Sequence, residues 1–312
     1  MATFASLSFQ VADGGKSIPW QAFDAYRKSD FSHAAYASFR PSYPPKLYDT
    51  ILSYHQGQYK TCLDLGCGHG LVSRAFSSHF DKVYGIDPSP GMIQQAKNLT
   101  SEQNIEFIES KAESLPFIAS KSIDLVVSGE AAHWFDMPRL FAELNRIMRP
   151  GGTMAFWGYT DHVFPDFPHA SALVEKYSHG LDKDLLGSYW PQPGRSILVN
   201  KLRAVQPPVD DWEDIQRVEY EPGTTGIGSG KGTKFMETTI PLRQTMEYLR
   251  TWSSYHGWKE AHPHRMRRSE GGEGDVGDEL LDKIVGAEAG LSDPDQIVTV
   301  EWGSGLILAR KL

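Results

Sequence analysis

The stretch TCLDLGCGHG, residues 61–70, leads from a short apolar segment into a loop that contains three glycines. A helical pattern, GLVSRAFSSHF, continues from residue 70. A strand that ends in a glycine-rich loop before a helix is typical of open α/β sheets, in which ligands bind beyond the carboxyl ends of the strands. Glycines there let a ligand approach the backbone. We therefore expect residues 61–70 to form part of a ligand site.

The same alternation of strands and helices continues to about residue 158. Segments rich in β-branched and aromatic residues predict five strands, which are TCLDLG, KVYGID, IEFIES, IDLVVSG and TMAFWGY. Helical patterns lie between several of them, and the helix before the fifth strand is expected to stop at Pro150-Gly151-Gly152. Alternation at this spacing gives right-handed βαβ units. The sequence thus predicts a doubly wound, mainly parallel α/β sheet.

After residue 158 the pattern becomes aromatic, Pro-rich and mixed. Helices are predicted near 168–180, 194–205, 241–256 and 277–288, a strand over 215–222, and a glycine-rich loop over 223–234. The closing QIVTVEWGSGLILARKL predicts two strands joined by a Gly-Ser turn.

We divide the chain into three parts on this basis. Residues 1–45 are an N-terminal extension and lid, and residues 46–158 are the ligand-binding core. Residues 159–312 are cap helices that also supply the closing strands 215–222 and 297–311 of the core sheet.

Composition and charge argue against several classes of protein. The formal net charge is −8, which disfavours a nucleic-acid partner. The one basic stretch, HPHRMRR at 262–268, is followed directly by acidic residues. We therefore expect this stretch to be a solvated loop. No apolar run approaches the length of a membrane span, and the first residues lack a secretory pattern. Two cysteines do not make a disulfide framework. We expect a soluble, cytoplasmic protein without a membrane partner.

Both cysteines, Cys62 and Cys67, lie close to His69, which raises the question of a metal or a nucleophile. Zinc needs three or four convergent ligands at ordered spacing, and no further pair of ligands stands nearby in sequence. Cys62 lies on a strand expected to be buried, where a cysteine acts as a small hydrophobe. We expect no metal site.

The spacing of the glycines distinguishes between two cofactor classes. Gly66, Gly68 and Gly70 form GxGxG, whereas the dinucleotide fingerprint GxGxxG would need glycine in place of Leu71. S-adenosylmethionine has no pyrophosphate to place over a helix and suits GxGxG better. Asp87 ends the second strand, where a carboxylate can accept both ribose hydroxyls. A nicotinamide-dependent oxidoreductase is the disfavoured alternative.

The sequence resembles class I S-adenosylmethionine-dependent methyltransferases, and more narrowly the trans-aconitate methyltransferase-like branch of small-molecule enzymes from fungi and plants. LDLGCGHG (63–70), GIDPSPGMI (85–93) and AESLPF (112–117) indicate the superfamily. The branch is indicated by EAAHWFD (130–136), the WGY of RIMRPGGTMAFWGYTDH (146–162), SYWPQPGR (188–195) and YLRTWSSY (248–255). The resemblance implies a Rossmann-like fold with a helical cap inserted over the carboxyl edge of the sheet.

The resemblance also implies which residues bind the cofactor. Asp64 would order the glycine loop, Asp87 would hold the ribose, and Arg40 would pair with the cofactor carboxylate. Lys111 stands where many relatives carry Asp, so the adenine contact falls to Glu113 or to backbone. The full set of cofactor positions is Arg40, Tyr43, Asp64, Gly66, Cys67, Gly68, Gly70, Asp87, Pro88, Ser89, Met92, Ala112, Glu113, Ser128, Gly129 and Glu130.

The acceptor site is expected beside the fourth strand and under the cap. His133 follows that strand and is a candidate general base, although ordinary packing would also explain it. Aromatic faces favour a sulfonium cation and exclude water, while some aromatic residues are expected only to join cap and sheet. The expected pocket residues are Trp134, Trp157, Tyr159, His162, Trp190, Arg195, Trp252 and Tyr255.

We therefore expect in-line transfer of a methyl group to a small molecule, giving S-adenosylhomocysteine as the second product. The acceptor is expected to be a carboxylate, or else a phenol or enol. A non-methylating rearrangement in a cofactor-binding protein, and methylation of a thiol, nitrogen or carbon acceptor, are the alternatives. The chain is expected to act as a monomer or homodimer.

Overall fold

A computed structural model describes residues 39–223 and 230–312 of the chain. The expected N-terminal extension therefore lies mostly outside the described residues, and so does the centre of the expected glycine-rich loop at 223–234. Arg40 and Tyr43, which were assigned to the extension, are described.

Nine strands of the described residues form one sheet, in the order β3-β2-β1-β4-β5-β9-β6-β7, with β8 paired to β9. The strands are β1 Thr61–Leu65, β2 Lys82–Asp87, β3 Ile105–Glu109, β4 Ile123–Gly129, β5 Met148–Val163, β6 Trp212–Glu221, β7 Lys231–Gly232, β8 Glu237–Pro241 and β9 Ile297–Lys311.

Helices cover both faces of this sheet and build the cap. They are α1 Pro45–Tyr54, α2 Leu71–Ser77, α3 Pro90–Asn98, α4 Met137–Ile147, α5 Pro168–His179, α6 Gly194–Val199, α7 Leu242–Leu249, α8 Ser253–Ala261 and α9 Val276–Ala287. Within residues 39–223 and 230–312, none of the helices is long and apolar enough to cross a membrane.

The strand pairing confirms the predicted mainly parallel sheet. Strands β1 to β5 pair in parallel, and β9 runs antiparallel between β5 and β6. The chain order reverses where β1 pairs with both β2 and β4. A reversal of this kind opens a crevice beyond the carboxyl ends of the strands, where α/β sheets bind their ligands.

The expected Gly-Ser turn near the C-terminus is wrong, because β9 is one continuous strand of 15 residues. Ser304 pairs with Tyr159 on one side and with Tyr220 on the other, so it belongs to the ladder. Glycine at position 305 lets the backbone of β9 approach the backbone of Lys201 closely. A Cβ on residue 305 would lie 2.4 Å from the carbonyl oxygen of Lys201.

Two further expectations about the cap need correction. The helix predicted over 241–256 is two helices, α7 and α8, because Trp252 has an extended backbone that interrupts it. The basic stretch 262–268 is not simply solvated, because its arginines pair with acidic residues of the cap. Arg265 contacts Glu279 at 3.0 Å, and Arg268 contacts Asp282 at 2.5 Å, so the stretch is fixed against α9.

Candidate active site

The loop after β1 presents its backbone to a cavity at the carboxyl edge of the sheet. Gly66 and Gly68 have φ values of 70° and 53°, which L side chains rarely adopt. A Cβ on Gly66 would lie 2.3 Å from the Cβ of Ala131, whereas a Cβ on Gly68 would meet nothing within 4 Å. The open space over Gly68 is where a ligand can contact the loop directly.

Asp64 lies beneath this loop and ties it to the following helix. Its side chain is fully buried, and Oδ2 accepts a hydrogen bond from the Ser73 hydroxyl at 2.6 Å. Burial raises the pKa of Asp64 to about 7, with Ser73 opposing the shift. The position agrees with a role in ordering the loop rather than in touching a ligand.

Asp87 ends β2 on the wall of the cavity, next to the glycine loop. Its Oδ2 accepts the Gly68 N–H at 3.0 Å, and its Oδ1 accepts the Ser89 N–H at 2.8 Å. Burial raises the pKa of Asp87 to about 6, which leaves the carboxylate mostly ionised at pH 7. Each carboxylate oxygen can accept more than one hydrogen bond, so a ribose diol fits here.

The space in and in front of this cavity amounts to about 1010 Å³, part of which is open solvent. Most of the residues expected from the sequence line it: Arg40, Gly66, Gly68, Asp87, Pro88, Ser89, Met92, Gly129, Glu130, His133, Trp134, Tyr159, Trp190, Arg195 and Trp252. The sequence did not single out other lining residues, namely Ala131, Phe135, Thr160, Asp161, Pro191, Leu198, Tyr248 and Ser253.

A second, smaller cavity is lined by residues that follow β3, and it shares Gly66 and Pro88 with the first cavity. Ala112 and Glu113 line this smaller cavity, as expected for the adenine edge. Oε1 of Glu113 already accepts the Asp136 N–H at 3.0 Å. Backbone groups of 110–113 therefore remain the simpler partners for an adenine.

The other expected residues lie outside both cavities: Tyr43, Asp64, Cys67, Gly70, Ser128, Trp157, His162 and Tyr255. Tyr43 packs edge-on against Trp157, with ring centroids 5.3 Å apart, behind the cavity wall. The Ser128 hydroxyl donates to the Leu65 carbonyl at 2.9 Å, which joins β4 to β1. The Tyr255 hydroxyl donates to Asp275 at 2.8 Å within the cap. These positions support the site without facing it.

His162 is the clearest departure from the expected pocket. It is 1 % exposed, and neither ring nitrogen has a hydrogen-bond partner among the described residues. The rings of Phe164, Tyr248, Trp252 and Trp302 surround it at centroid distances of 5.3 to 6.4 Å. Burial lowers the pKa of His162 to about 4, so it is a neutral core residue at pH 7.

Arg195 and Asp161 form a charged patch on the cap side of the cavity. Asp161 accepts hydrogen bonds from the Arg195 guanidinium and from Ser178 Oγ at 2.7 Å, and His179 Nε2 lies 3.0 Å from it. Although burial alone would raise the pKa of Asp161, the Arg195 guanidinium and His179 hold it well below its usual range. The guanidinium carbon lies 4.1 Å from the centroid of the Trp190 ring. Arg195 is thus a fixed cation in the wall.

His133 lies in the cavity wall but is poorly suited to act as a base. Burial lowers its pKa to about 3, and the nearby charges of Arg40 and Arg195 add to the shift. Its Nδ1 has no hydrogen-bond partner among residues 39–223 and 230–312. A base works best with a pKa near the working pH, so proton removal by His133 is disfavoured.

Comparisons with known proteins agree with this geometry. Residues 63–156 match the methyltransferase domain family. The chain is 33% identical over 298 residues to CRG1 of Saccharomyces cerevisiae, by name an S-adenosylmethionine-dependent methyltransferase, covering 92% of this chain and 98% of CRG1. A structure from Anaeromyxobacter dehalogenans, described as a type II methyltransferase, superposes with a TM-score of 0.65 at 25% identity, covering 87% of this chain and 98% of that one. The chain belongs to the class I S-adenosylmethionine-dependent methyltransferase family, and S-adenosylmethionine is its cofactor.

Proposed function

We propose that the chain methylates a carboxylate group of a small molecule, as expected for the trans-aconitate methyltransferase-like branch. The observation that carries this proposal is Arg195, a buried guanidinium on the cavity wall, with Arg40 lining the same cavity. Guanidinium groups bind carboxylates with paired, charge-assisted hydrogen bonds. Arg40 is the expected partner of the cofactor carboxylate, so Arg195, whose Nε has no hydrogen-bond partner among the described residues, is the group that favours an anionic acceptor.

The residues at the glycine loop and at the end of β2 fit S-adenosylmethionine. Open space lies over Gly68, Asp87 offers a ribose acceptor, and Ala112 lines the adjoining adenine cavity. When bound, the cofactor supplies a methyl group on a sulfonium sulfur and leaves as S-adenosylhomocysteine. The rings of Trp134 and Trp252 line the same cavity, where they exclude water and favour a cation.

A carboxylate acceptor explains why the described residues that line the cavity include no well-suited histidine base. A carboxylate is ionised at pH 7 and attacks without losing a proton. The task of the protein is then to orient the acceptor and keep water out, which accounts for most of the rate enhancement in reactions of this kind. Arg195, held by Asp161 and stacked on Trp190, can orient an acceptor because it cannot move freely.

The proposal is tested by a labelled-methyl screen against carboxylic acids, phenols and thiols, with the purified chain. A methyl ester releases labelled methanol in mild alkali, whereas a methyl ether or thioether does not. The proposal predicts an alkali-labile product from a carboxylic acid. Labelled ethers or thioethers alone would contradict it, as would conversion of the acceptor without formation of S-adenosylhomocysteine.

The role of Arg195 is tested with Arg195→Lys, which keeps the charge but loses the paired hydrogen bonds. We expect KM for the acceptor to rise about 10- to 100-fold, because one or two charge-assisted hydrogen bonds are lost. Affinity for S-adenosylmethionine should stay within about twofold. Arg203→Lys is the matched control, because Arg203 pairs with Glu219 on the surface. An unchanged acceptor KM in Arg195→Lys would exclude Arg195 from the acceptor site.

His133 is tested with His133→Asn over pH 6 to 9. If the acceptor is a carboxylate, the shape of the pH profile stays that of the original protein, even if turnover falls a few-fold from altered packing. Loss of a rising limb near neutral pH in the variant would instead identify His133 as a base and favour a phenol or enol acceptor.

A further inference from the structure

Glu130 occupies a strained position where β4 meets the cavity. It follows Gly129, the last residue of β4, and its φ of 57° is uncommon for a residue other than glycine. Strain of this kind persists when surrounding contacts hold it, and it clusters at functional sites. Here the Glu130 N–H donates to the Trp157 carbonyl at 2.9 Å, so the backbone is tied to β5.

The Glu130 side chain is fixed by one oxygen only. Oε2 accepts the Tyr159 N–H at 2.8 Å. Oε1 forms no hydrogen bond with the described residues, and Glu130 lines the cavity. One oxygen is therefore an anchor, and the other is presented to a ligand.

Charged and titratable groups surround Glu130 from several elements. Arg40 approaches from the segment before α1, Arg195 from α6, and Asp161 from β5. The phenols of Tyr159 and Tyr248 are also close enough to feel its charge. An acceptor carboxylate bound by Arg195 therefore lies close to the Glu130 carboxyl group.

We propose that Glu130 contacts the acceptor as a neutral carboxylic acid, donating a hydrogen bond from Oε1 to the acceptor carboxylate. This inference rests on the proposed function, since it needs an anionic acceptor. The hydrogen bond goes to the carboxylate oxygen that is not methylated, which leaves the other oxygen free to attack. The acceptor loses no proton in the reaction, so Glu130 keeps its own.

Two like charges cannot easily coexist in a small, dry cavity, so two carboxyl groups in contact share one proton. Burial already raises the pKa of Glu130 to about 8, although Arg40 and the Tyr159 N–H oppose the shift. Asp161 remains ionised because Arg195 and His179 bind it directly. The cavity thus holds two carboxyl groups with different roles, one ionised to hold Arg195 and one neutral to contact the acceptor.

The test compares the original protein with Glu130→Gln over pH 7 to 9.5, using whichever carboxylic acid the methyl screen identifies. The glutamine amide can accept the Tyr159 N–H with its oxygen and place its NH₂ group where Oε1 lies, so it copies the protonated acid. We expect KM for the acceptor in the original protein to rise by about tenfold per pH unit above pH 8, as the acid ionises. In Glu130→Gln, KM should start within about threefold and stay constant to pH 9.5.

Two further variants keep this test decisive. Glu130→Ala removes the donor, so acceptor KM should be raised at every pH and should not vary with pH. Glu106→Gln is the matched control, because Glu106 pairs with Lys82 on the surface, and it should follow the original protein. A cooperative urea-unfolding transition in all three variants would show that each is folded.

The results separate this inference from the proposed function. If no carboxylic acid gives an alkali-labile product, the proposed function fails and the role of Glu130 fails with it. If a carboxylic acid is methylated but turnover in Glu130→Gln falls by about 100-fold at every pH, the reaction needs the negative charge of an ionised Glu130, and only this inference is overturned. Only this inference is overturned, too, if the acceptor KM of Glu130→Gln depends on pH in the same way as that of the original protein.

Discussion

Asp87 is the residue on which cofactor binding depends most directly. Asp87→Asn keeps the shape of the side chain but removes its charge and one of its acceptors. We expect affinity for S-adenosylmethionine to fall about 10- to 100-fold, because hydrogen bonds to a charged group contribute about 1.5–3 kcal/mol each. Isothermal titration measures this affinity. Asp81→Asn is the control, because Asp81 is an exposed residue just before β2. Equal affinity in the original protein and Asp87→Asn would contradict this role.

The buried, neutral His162 should make the folded protein less stable in acid. Its folded pKa of about 4 lies below its ordinary value of 6.5, so the unfolded chain binds the proton first as pH falls. The folded state therefore loses stability from about pH 6.5 down to pH 4. His162→Phe should remove this loss. Between pH 7 and pH 4.5, its free energy of unfolding should therefore rise by about 2 kcal/mol relative to that of the original protein, as measured by urea unfolding.

An exposed histidine provides the control for this experiment. His79→Phe should show the same acid dependence as the original protein, since His79 is exposed. If His162→Phe also lost stability in parallel with the original protein, His162 would have to be charged or hydrogen-bonded in the folded state.

Single residues show where sequence reasoning succeeded and where it could not. The glycines and Asp87 were predictable because their chemistry depends on residues close in sequence. Asp161 and His162 are neighbours on β5, yet Asp161 lines the cavity and His162 lies among aromatic rings. The register of β5 shifts between Tyr159 and His162, and such an irregularity, which redirects side chains, is not visible in the sequence. The pattern therefore selected His162 and missed Asp161.

Among the elements, α7 and α9 are joined by a buried ion pair that fixes the cap. Arg250 donates to both oxygens of Asp275, with Nε–Oδ2 at 2.8 Å and Nη2–Oδ1 at 2.7 Å. Asp275 also caps the start of α9, where its side chain accepts the Asp278 N–H. Arg250 is 7 % exposed and Asp275 is 0 % exposed, so loss of either partner leaves a buried charge.

Arg250→Ala should lower the free energy of unfolding by about 3–5 kcal/mol, because Asp275 would remain buried without its main partner. Arg243→Ala is the matched control, since the pair of Arg243 with Asp295 is more than half exposed and should contribute about 0–1 kcal/mol. Urea unfolding measures both. Equal effects of the two substitutions would show that the Arg250 pair does not hold the cap together.

Elements in the core were predicted better than elements in the cap. Strands β1 to β4 were found because buried parallel strands are short apolar runs between turns. The single strand β9 was missed because Gly303, Ser304 and Gly305 resemble a turn, although all three lie within the strand and Gly305 permits close approach to the backbone of Lys201. The break between α7 and α8 was missed because Trp252, whose backbone is extended, carries no helix-breaking signal in the sequence.

At the scale of the whole molecule, the candidate site is assembled from segments far apart in sequence. Lining residues extend from Arg40 to Ser253 and come from the core, the cap and the segment before α1. The residues expected to hold the cofactor lie in short motifs, and of these Gly66, Gly68 and Asp87 line the cavity. The acceptor side depends on how the cap folds over the sheet, so residues such as Tyr248 and Thr160 became visible only in the structure.

The central claim is that the crevice beyond β1, β2 and β4 binds S-adenosylmethionine. Isothermal titration of the intact chain with S-adenosylmethionine, and separately with a nicotinamide dinucleotide, tests it most directly. We predict saturable one-to-one binding of S-adenosylmethionine and of S-adenosylhomocysteine, with no heat of binding from the dinucleotide. Binding of the dinucleotide alone, or no binding of S-adenosylmethionine by a folded chain, would contradict the claim.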